Sequence, residues 1–215
     1  MPVRVKICGI TRAEDAWTAI EAGADALGFM CYPGSPRYLD PDAIRAITDT
    51  LPPLIARVGV FVDADFPTVA GTLERAGLDT LQLHGDESPD FCRRFGSARV
   101  IKAFRVDSPA ALDRMEAYRP LTWLLDSYVA GSHGGTGRTF NWDLARDAVV
   151  RGGRVILAGG LNPGNVAGAV LHVRPYGVDV SSGVECAPGR KDPARVRDFI
   201  AAAKGSEGGA SRSCG

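Results

Sequence analysis

Short apolar runs alternate with helix-start signals along almost the whole chain, and this alternation limits the possible folds more than any single motif does. The runs are Val3–Cys8, Asp25–Met30, Ile55–Val62, Thr80–Leu83, Arg99–Phe104, Trp123–Asp126, Arg154–Ala158 and Gly177–Ser181. Each is four to eight residues long, suited to a buried parallel strand. Between them, a capping side chain stands before a proline at Asp40-Pro41, Ser88-Pro89, Ser108-Pro109, Asn162-Pro163 and Asp192-Pro193. Proline fits the first helical position because the amide it lacks would have no partner there, and the preceding oxygen accepts from the first turn. Thr11-Arg12-Ala13-Glu14 reads as a capping box that opens a helix over residues 13–22. Gly23, Gly77 and Gly177 stand where helices or loops stop before strands, as a left-handed terminus requires. The sum is eight strands and eight helices. An open doubly wound sheet would carry a Gly-x-Gly-x-x-Gly turn after its first strand, and none is present. The expectation is therefore α/β: a (β/α)8 TIM barrel in one domain, residues 1–204. Residues 205–215, rich in Gly and Ser, are expected to form a disordered tail in which Cys214 is incidental.

Composition narrows the function. With 25 basic and 25 acidic side chains among 215 residues, nothing marks a nucleic-acid or acidic-membrane surface. No apolar run reaches the ~18 residues of a membrane span, and Met1-Pro2-Val3-Arg4 lacks a signal-peptide core. The five cysteines form no CxxC pair, so neither a disulfide scaffold nor a zinc site is expected. A reducing compartment, the cytoplasm, is the expected location.

In such a barrel the chemistry belongs at the carboxyl ends of the strands. The first strand ends in Cys8. A thiol near positive charge or a helix N-terminus can ionise below about 8.5 and act as base or nucleophile, although most free cysteines are small buried hydrophobes. After the second strand a rigid Pro-rich loop ends in Arg37, a fork for carboxylate or phosphate unless it is merely a surface arginine. His84 follows the fourth strand, either facing the site or bonding its own loop. Asp126 follows Trp123-Leu124-Leu125, where burial would raise its pKa and make it a general acid. The loop from Ser127 to Asn141, with Gly131, Gly134, Gly135 and Gly137, is long enough to be functional. Gly159-Gly160 and Ser181-Ser182-Gly183 end the last two strands, where small residues expose amides to an anion and barrels place phosphate. An acid, a base and a phosphate cradle, with no metal cluster or nucleotide motif, indicate cofactor-free proton transfer on a small phosphorylated sugar. No catalytic role is assigned to Lys6.

These stretches resemble one family. Lys6-Ile7-Cys8-Gly9-Ile10-Thr11, Ser35-Pro36-Arg37, Leu81-Gln82-Leu83-His84-Gly85 and Leu125-Asp126-Ser127 are similar to motifs of phosphoribosylanthranilate isomerase. So are Gly134-Gly135-Thr136-Gly137 with Phe140-Asn141-Trp142, Leu157-Ala158-Gly159-Gly160-Leu161 and the run from Val178 to Glu185. The match keeps its order from Lys6 to about Asp192. The resemblance implies an Amadori rearrangement in tryptophan biosynthesis, with N-(5-phosphoribosyl)anthranilate as substrate and no cofactor. It implies Asp126 as general acid at the ring oxygen, Cys8 as general base at C2′, and Arg37 at the anthranilate end. The Gly159-Gly160 and Ser181-Ser182-Gly183 loops would hold the phosphate, and His84 and Gly135 join the substrate-binding set. The protein is expected to be a monomer or a homodimer. Alternatives are a histidine-pathway aminoaldose isomerase, which would place an aspartate where Cys8 stands, and a non-catalytic sugar-phosphate-binding barrel, which need not keep both Cys8 and Asp126.

Overall fold

The structure is a computed structural model describing residues 2–126 and 142–206. Eight parallel strands close into a barrel in sequence order: β1 Arg4–Cys8, β2 Ala26–Met30, β3 Ala56–Phe61, β4 Thr80–Leu83, β5 Val100–Arg105, β6 Thr122–Asp126, β7 Arg154–Leu157 and β8 Gly177–Val180. Helices α1 Ala13–Glu21, α2 Pro41–Thr48, α3 Phe66–Arg75, α4 Pro89–Arg93, α5 Pro109–Met115, α6 Trp142–Val150, α7 Val166–Val173 and α8 Pro193–Gly205 alternate with them. The TIM barrel expected from the alternation is present. One small addition, the antiparallel hairpin β9 Glu185–Ala187 with β10 Arg190–Lys191, follows β8. Residues 127–141 and 207–215, which include Gly135 and most of the expected tail, lie outside the described residues.

Local chemistry explains several boundaries. Asp40 accepts from the amides of Asp42 and Ala43, Ser88 from Phe91, and Asp192 from Ala194 and Arg195, each with proline at the helix start. Each such cap contributes about 1 kcal/mol. Asp65 caps α3 in the same way, one residue further from its proline. Three expected starts differ. The Thr11–Glu14 capping box does not form: Thr11 Oγ1 donates to the Gly189 carbonyl and α1 begins without a side-chain cap. Ser108 Oγ turns to Asp107 instead of capping α5. Asn162-Pro163 forms a turn, with Asn162 accepting from Gly164, and α7 starts only at Val166. The stops at Gly23 and Gly77 are left-handed, with φ of 98° and 63°. Gly177 is not a stop; it lies inside β8, and the left-handed residue ending α7 is Arg174, at φ 53°.

Alternation along the strands builds two cores. Outward residues such as Val5, Ile7, Leu27, Phe29, Leu81, Leu83, Trp123 and Leu125 pack against the helices. Inward residues Val58, Ile101, Ala103, Leu124, Ile156 and Ala158, with Ala26 beside them, fill one side of the barrel interior. The side formed by β1 and β8 is polar instead: Lys6 donates to Asp179 at 2.8 Å, and both are buried.

Candidate active site

The site is built at the carboxyl ends of the strands, where the register brings inward positions to the mouth. Cys8 ends β1 opposite Gly28 and Asp126 ends β6 opposite Arg105. On the shorter arc between those two strands lie β7 and β8, so the Gly159-Gly160 and Ser181-Ser182-Gly183 loops sit between the thiol and the carboxylate. Arg37, on the loop after β2, reaches back over Gly9, whose missing side chain gives it room: a Cβ there would lie 2.6 Å from Arg37 Cδ.

Asp126 is 24% exposed, not sealed in the core as the apolar run before it suggested, because its strand ends where the barrel opens. His84 stands beside it, with Nε2 at 3.4 Å from Asp126 Oδ2. The other ring nitrogen, Nδ1, is 2.9 Å from Gln82 Nε2, which orients the imidazole toward the carboxylate. His84 thus contacts both Asp126 at the mouth and Gln82 of its own strand.

Cys8 is 6% exposed. Burial pushes its thiol above the ordinary value; Lys6 and Lys191 pull it down and Asp179 pushes it up. The expectation of a thiol brought below its ordinary value by nearby positive charge is therefore corrected: the charge is present, and burial outweighs it. Closing the barrel removes the water that would stabilise a thiolate, a change that the strand sequence does not display.

Arg37 is not a surface arginine. Its Nε and Nη2 grip Glu185 in a bidentate pair at 2.8 and 2.6 Å, leaving the outer edge of the guanidinium for another acceptor. Glu185 Oε1 also accepts from Lys191 Nζ at 2.9 Å, and the two cations hold its carboxyl below the usual range. Lys191, wholly buried on the hairpin, further donates to the carbonyls of Cys8 at 2.5 Å and Ser181 at 3.3 Å. The hairpin thus fastens the ends of β1 and β8 together and aims Arg37. Sequence reasoning missed this cluster. Glu185 lay inside a motif, but Lys191 carried no local signal, since its partners come from distant loops.

At the end of β7, Gly159 and Gly160 take φ of 76° and 66°, which side chains with a Cβ adopt at a cost. Neither amide donates to another described residue. Gly183 opens a short turn after β8 packed so closely on the Leu161 carbonyl that a Cβ would overlap it. The Ser181 hydroxyl is buried with no hydrogen-bond partner among the described residues. The two loops thus carry donors without described partners, and Gly183 packs one of them on the other at the Leu161 carbonyl, the kind of donor set an anion cradle uses. Among the described residues no three His, Cys, Asp or Glu side chains are grouped to hold a metal ion. No helix among them is long and apolar enough to cross a membrane.

Residues 5–202 match the family model described as N-(5′-phosphoribosyl)anthranilate isomerase. A curated protein of that name from Geotalea uraniireducens is 59% identical over 202 residues, covering 94% of this chain and 98% of its own. One from Geobacter sulfurreducens is 56% identical over 94% of this chain and 99% of its own. Among solved structures, phosphoribosyl anthranilate isomerase from Thermotoga maritima superimposes with a TM-score of 0.89 at 45% identity, covering 94% of this chain and 99% of that one. A second, at 44% identity with a TM-score of 0.84 over 94% of this chain and 99% of that one, is a complex with reduced 1-(o-carboxyphenylamino)-1-deoxyribulose 5-phosphate.

Proposed function

The chain belongs to the N-(5′-phosphoribosyl)anthranilate isomerase family, and from that premise we propose how its barrel mouth performs the isomerisation. It is an enzyme of tryptophan biosynthesis that converts N-(5-phosphoribosyl)anthranilate to 1-(2-carboxyphenylamino)-1-deoxyribulose 5-phosphate. The observation that carries the mechanism is the arrangement by strand order: thiol on β1, carboxyl on β6, and two amide-rich loops between them.

The phosphate is held by the amides of Gly159, Gly160, Ser182 and Gly183, with the Ser181 hydroxyl as a further donor. The anthranilate carboxylate lies on the outer edge of Arg37 that Glu185 leaves open. Asp126, in its protonated form, gives its proton to the furanose ring oxygen, and the C1′–O bond breaks to a Schiff base. The Cys8 thiolate then takes the proton from C2′, and the electron pair left behind neutralises the iminium to an enolamine. Tautomerisation to the ketone completes the reaction. His84 orients the Asp126 carboxyl from the β4 side. Gly135, which lies outside the described residues, is proposed as a further substrate-binding residue. Each step is assisted by a proton transfer, worth roughly 10²–10⁴ in rate when positioned.

Substrate made in place by anthranilate phosphoribosyltransferase loses its fluorescence as it isomerises. Wild type should consume it rapidly. Cys8→Ser, whose hydroxyl is far too weak a base, and Asp126→Asn, which has no proton to give, should each lose about 10³-fold or more in kcat with the fold retained. Near-wild-type turnover in either variant removes that residue from its role.

A further inference from the structure

Lys6 is a buried cation for which the mechanism above has no use, and it lies against the base. Residues 6 and 8 share one face of β1, so both side chains enter the barrel. Across from Cys8 in register is Gly28. A Cβ on Gly28 would meet Cys8 Sγ at 2.7 Å and Lys6 Nζ at 3.0 Å, so the missing side chain is what lets the two atoms occupy one pocket. The Lys6 ammonium thus shares with the thiol the space that Gly28 leaves open, and it donates to Asp179 Oδ1 at 2.8 Å. The lysine and aspartate side chains are only 4% and 10% exposed.

A buried ion pair is weak evidence of a stabilising role, because desolvating both charges offsets most of their attraction. Its position suggests a different purpose. The base must become an anion in a dry pocket next to a bound phosphate and a bound carboxylate, all of which oppose ionisation. We propose that Lys6 is the positioning residue that holds Cys8 as a thiolate, with Asp179 anchoring and keeping the ammonium charged from the far side. The proton released on forming the thiolate goes to solvent before substrate closes the mouth. Other groups face the sulfur. Lys191, from the hairpin, and Arg37, from the loop after β2, add positive charge. Cys31, after β2, stays a thiol, pushed up to about 12 by burial. Lys6 is the member of this set buried beneath the sulfur, on its own strand.

The proposal rests on Cys8 being the base, and the test separates the two. Lys6→Gln is one atom shorter, keeps hydrogen-bonding capacity and removes the charge. Alkylation of Cys8 by iodoacetamide, resolved by peptide mass spectrometry from pH 6.5 to 10, should slow at least ~10-fold at pH 8 and shift its rise to higher pH, since one pKa unit is a factor of ten. Turnover should fall by a similar ~10-fold factor with KM within about threefold, the pattern of a lost transition-state contribution. Unchanged alkylation in a folded Lys6→Gln protein overturns the proposal even if Cys8→Ser is inactive. Slower alkylation with full turnover also overturns it, because the charge would then not serve the reaction. If Cys8→Ser turns over normally, the base reading itself fails.

Should Lys6→Gln not fold, wild type supplies the measurement. The chain has four lysines, so ¹⁵N-lysine labelling gives a simple side-chain spectrum. A buried ammonium resonance should move with pH as Cys8 titrates in wild type and lose that step in Cys8→Ser. Identical titration of all four signals in both proteins overturns the assignment.

Discussion

The two ends of the barrel use the same residue types to opposite effect. At the amino-terminal floor, Asp25 accepts from Arg4 Nη1 at 2.8 Å and the Val5 amide at 2.9 Å, and pairs with Lys204 Nζ at 2.9 Å. Every one of these partners is structural: β1, the end of α1 and the last helix are tied into one knot. At the mouth the network is left incomplete. Among the described residues, Asp126 has one long contact to His84, the Ser181 hydroxyl has no partner, and Arg37 has an edge that none of them uses. Unmade hydrogen bonds at a buried or half-buried position cost stability, and proteins retain them where a ligand completes them. The difference is therefore one of saturation among the described residues: the floor is finished by the chain itself, and the mouth is where we propose that substrate completes the network.

Substitutions that close the mouth or open the floor test this contrast. The largest effect is expected at Gly183. Its turn lies against the Leu161 carbonyl with no room for a methyl group, and the backbone of both loops must shift to admit one. Gly183→Ala should lose about 10²-fold or more in kcat/KM, chiefly through KM, because a displacement of about 1 Å in a positioned site costs that much. Affinity for inorganic phosphate, measured by calorimetry, should fall in parallel. A variant that binds phosphate as wild type does would show that this loop is part of the scaffold only.

A smaller and more selective effect is expected at Glu185. Glu185→Gln removes the charge that both Arg37 and Lys191 face, and leaves a single oxygen for two cations. Arg37 then loses its fixed direction. KM for the substrate should rise about tenfold with kcat within about threefold, the signature of lost ground-state binding. Phosphate affinity should not change, since the amides of the other loops are untouched. A drop in kcat with constant KM would place Glu185 with Cys8, through Lys191 and the Cys8 carbonyl, instead of with Arg37.

These cases also mark which parts of the molecule were legible in the sequence. The caps at Asp40, Ser88 and Asp192 were readable because donor and acceptor lie two or three residues apart, within one turn. Thr11 looked like the same signal, yet its hydroxyl found the carbonyl of Gly189, 178 residues away, and tertiary geometry outweighed the local preference. Strand order was readable because parallel strands need crossovers, and those crossovers announced themselves. It placed Cys8 and Asp126 at the mouth without any knowledge of side-chain contacts. The protonation of Cys8 was not readable in that way. It depends on water excluded by eight strands and on Asp179, at the other end of the chain. Arg37 could be named as an anion holder by its resemblance, but its aim is set by Glu185, 148 residues further on. Local chemistry reveals elements and their ends; the electrostatic state of a site belongs to the closed fold.

The smallest effect, and the cleanest test of the contrast, belongs to the floor. Asp25→Asn leaves the mouth untouched, so turnover and KM should equal wild type. Stability should fall by about 1–2 kcal/mol, the worth of charge-assisted hydrogen bonds at a partly buried carboxylate. For a chain of this size that is a drop in melting temperature of roughly 2–8 °C. The arginine and lysine hold the Asp25 carboxyl below the usual carboxylate range, so the folded pKa lies below the unfolded one. The stability it contributes is then present above the unfolded value, near 4, and disappears as pH falls through the folded value. The melting temperatures of wild type and Asp25→Asn should differ at pH 7 and converge below about pH 4. Convergence without any kinetic change would leave the floor purely structural. A kinetic defect in Asp25→Asn at pH 7 would mean that strain at the floor reaches Cys8 along β1, five residues in which Lys6 lies two positions from Cys8. The division between a finished end and an open end would then have to be replaced by one continuous strand carrying both.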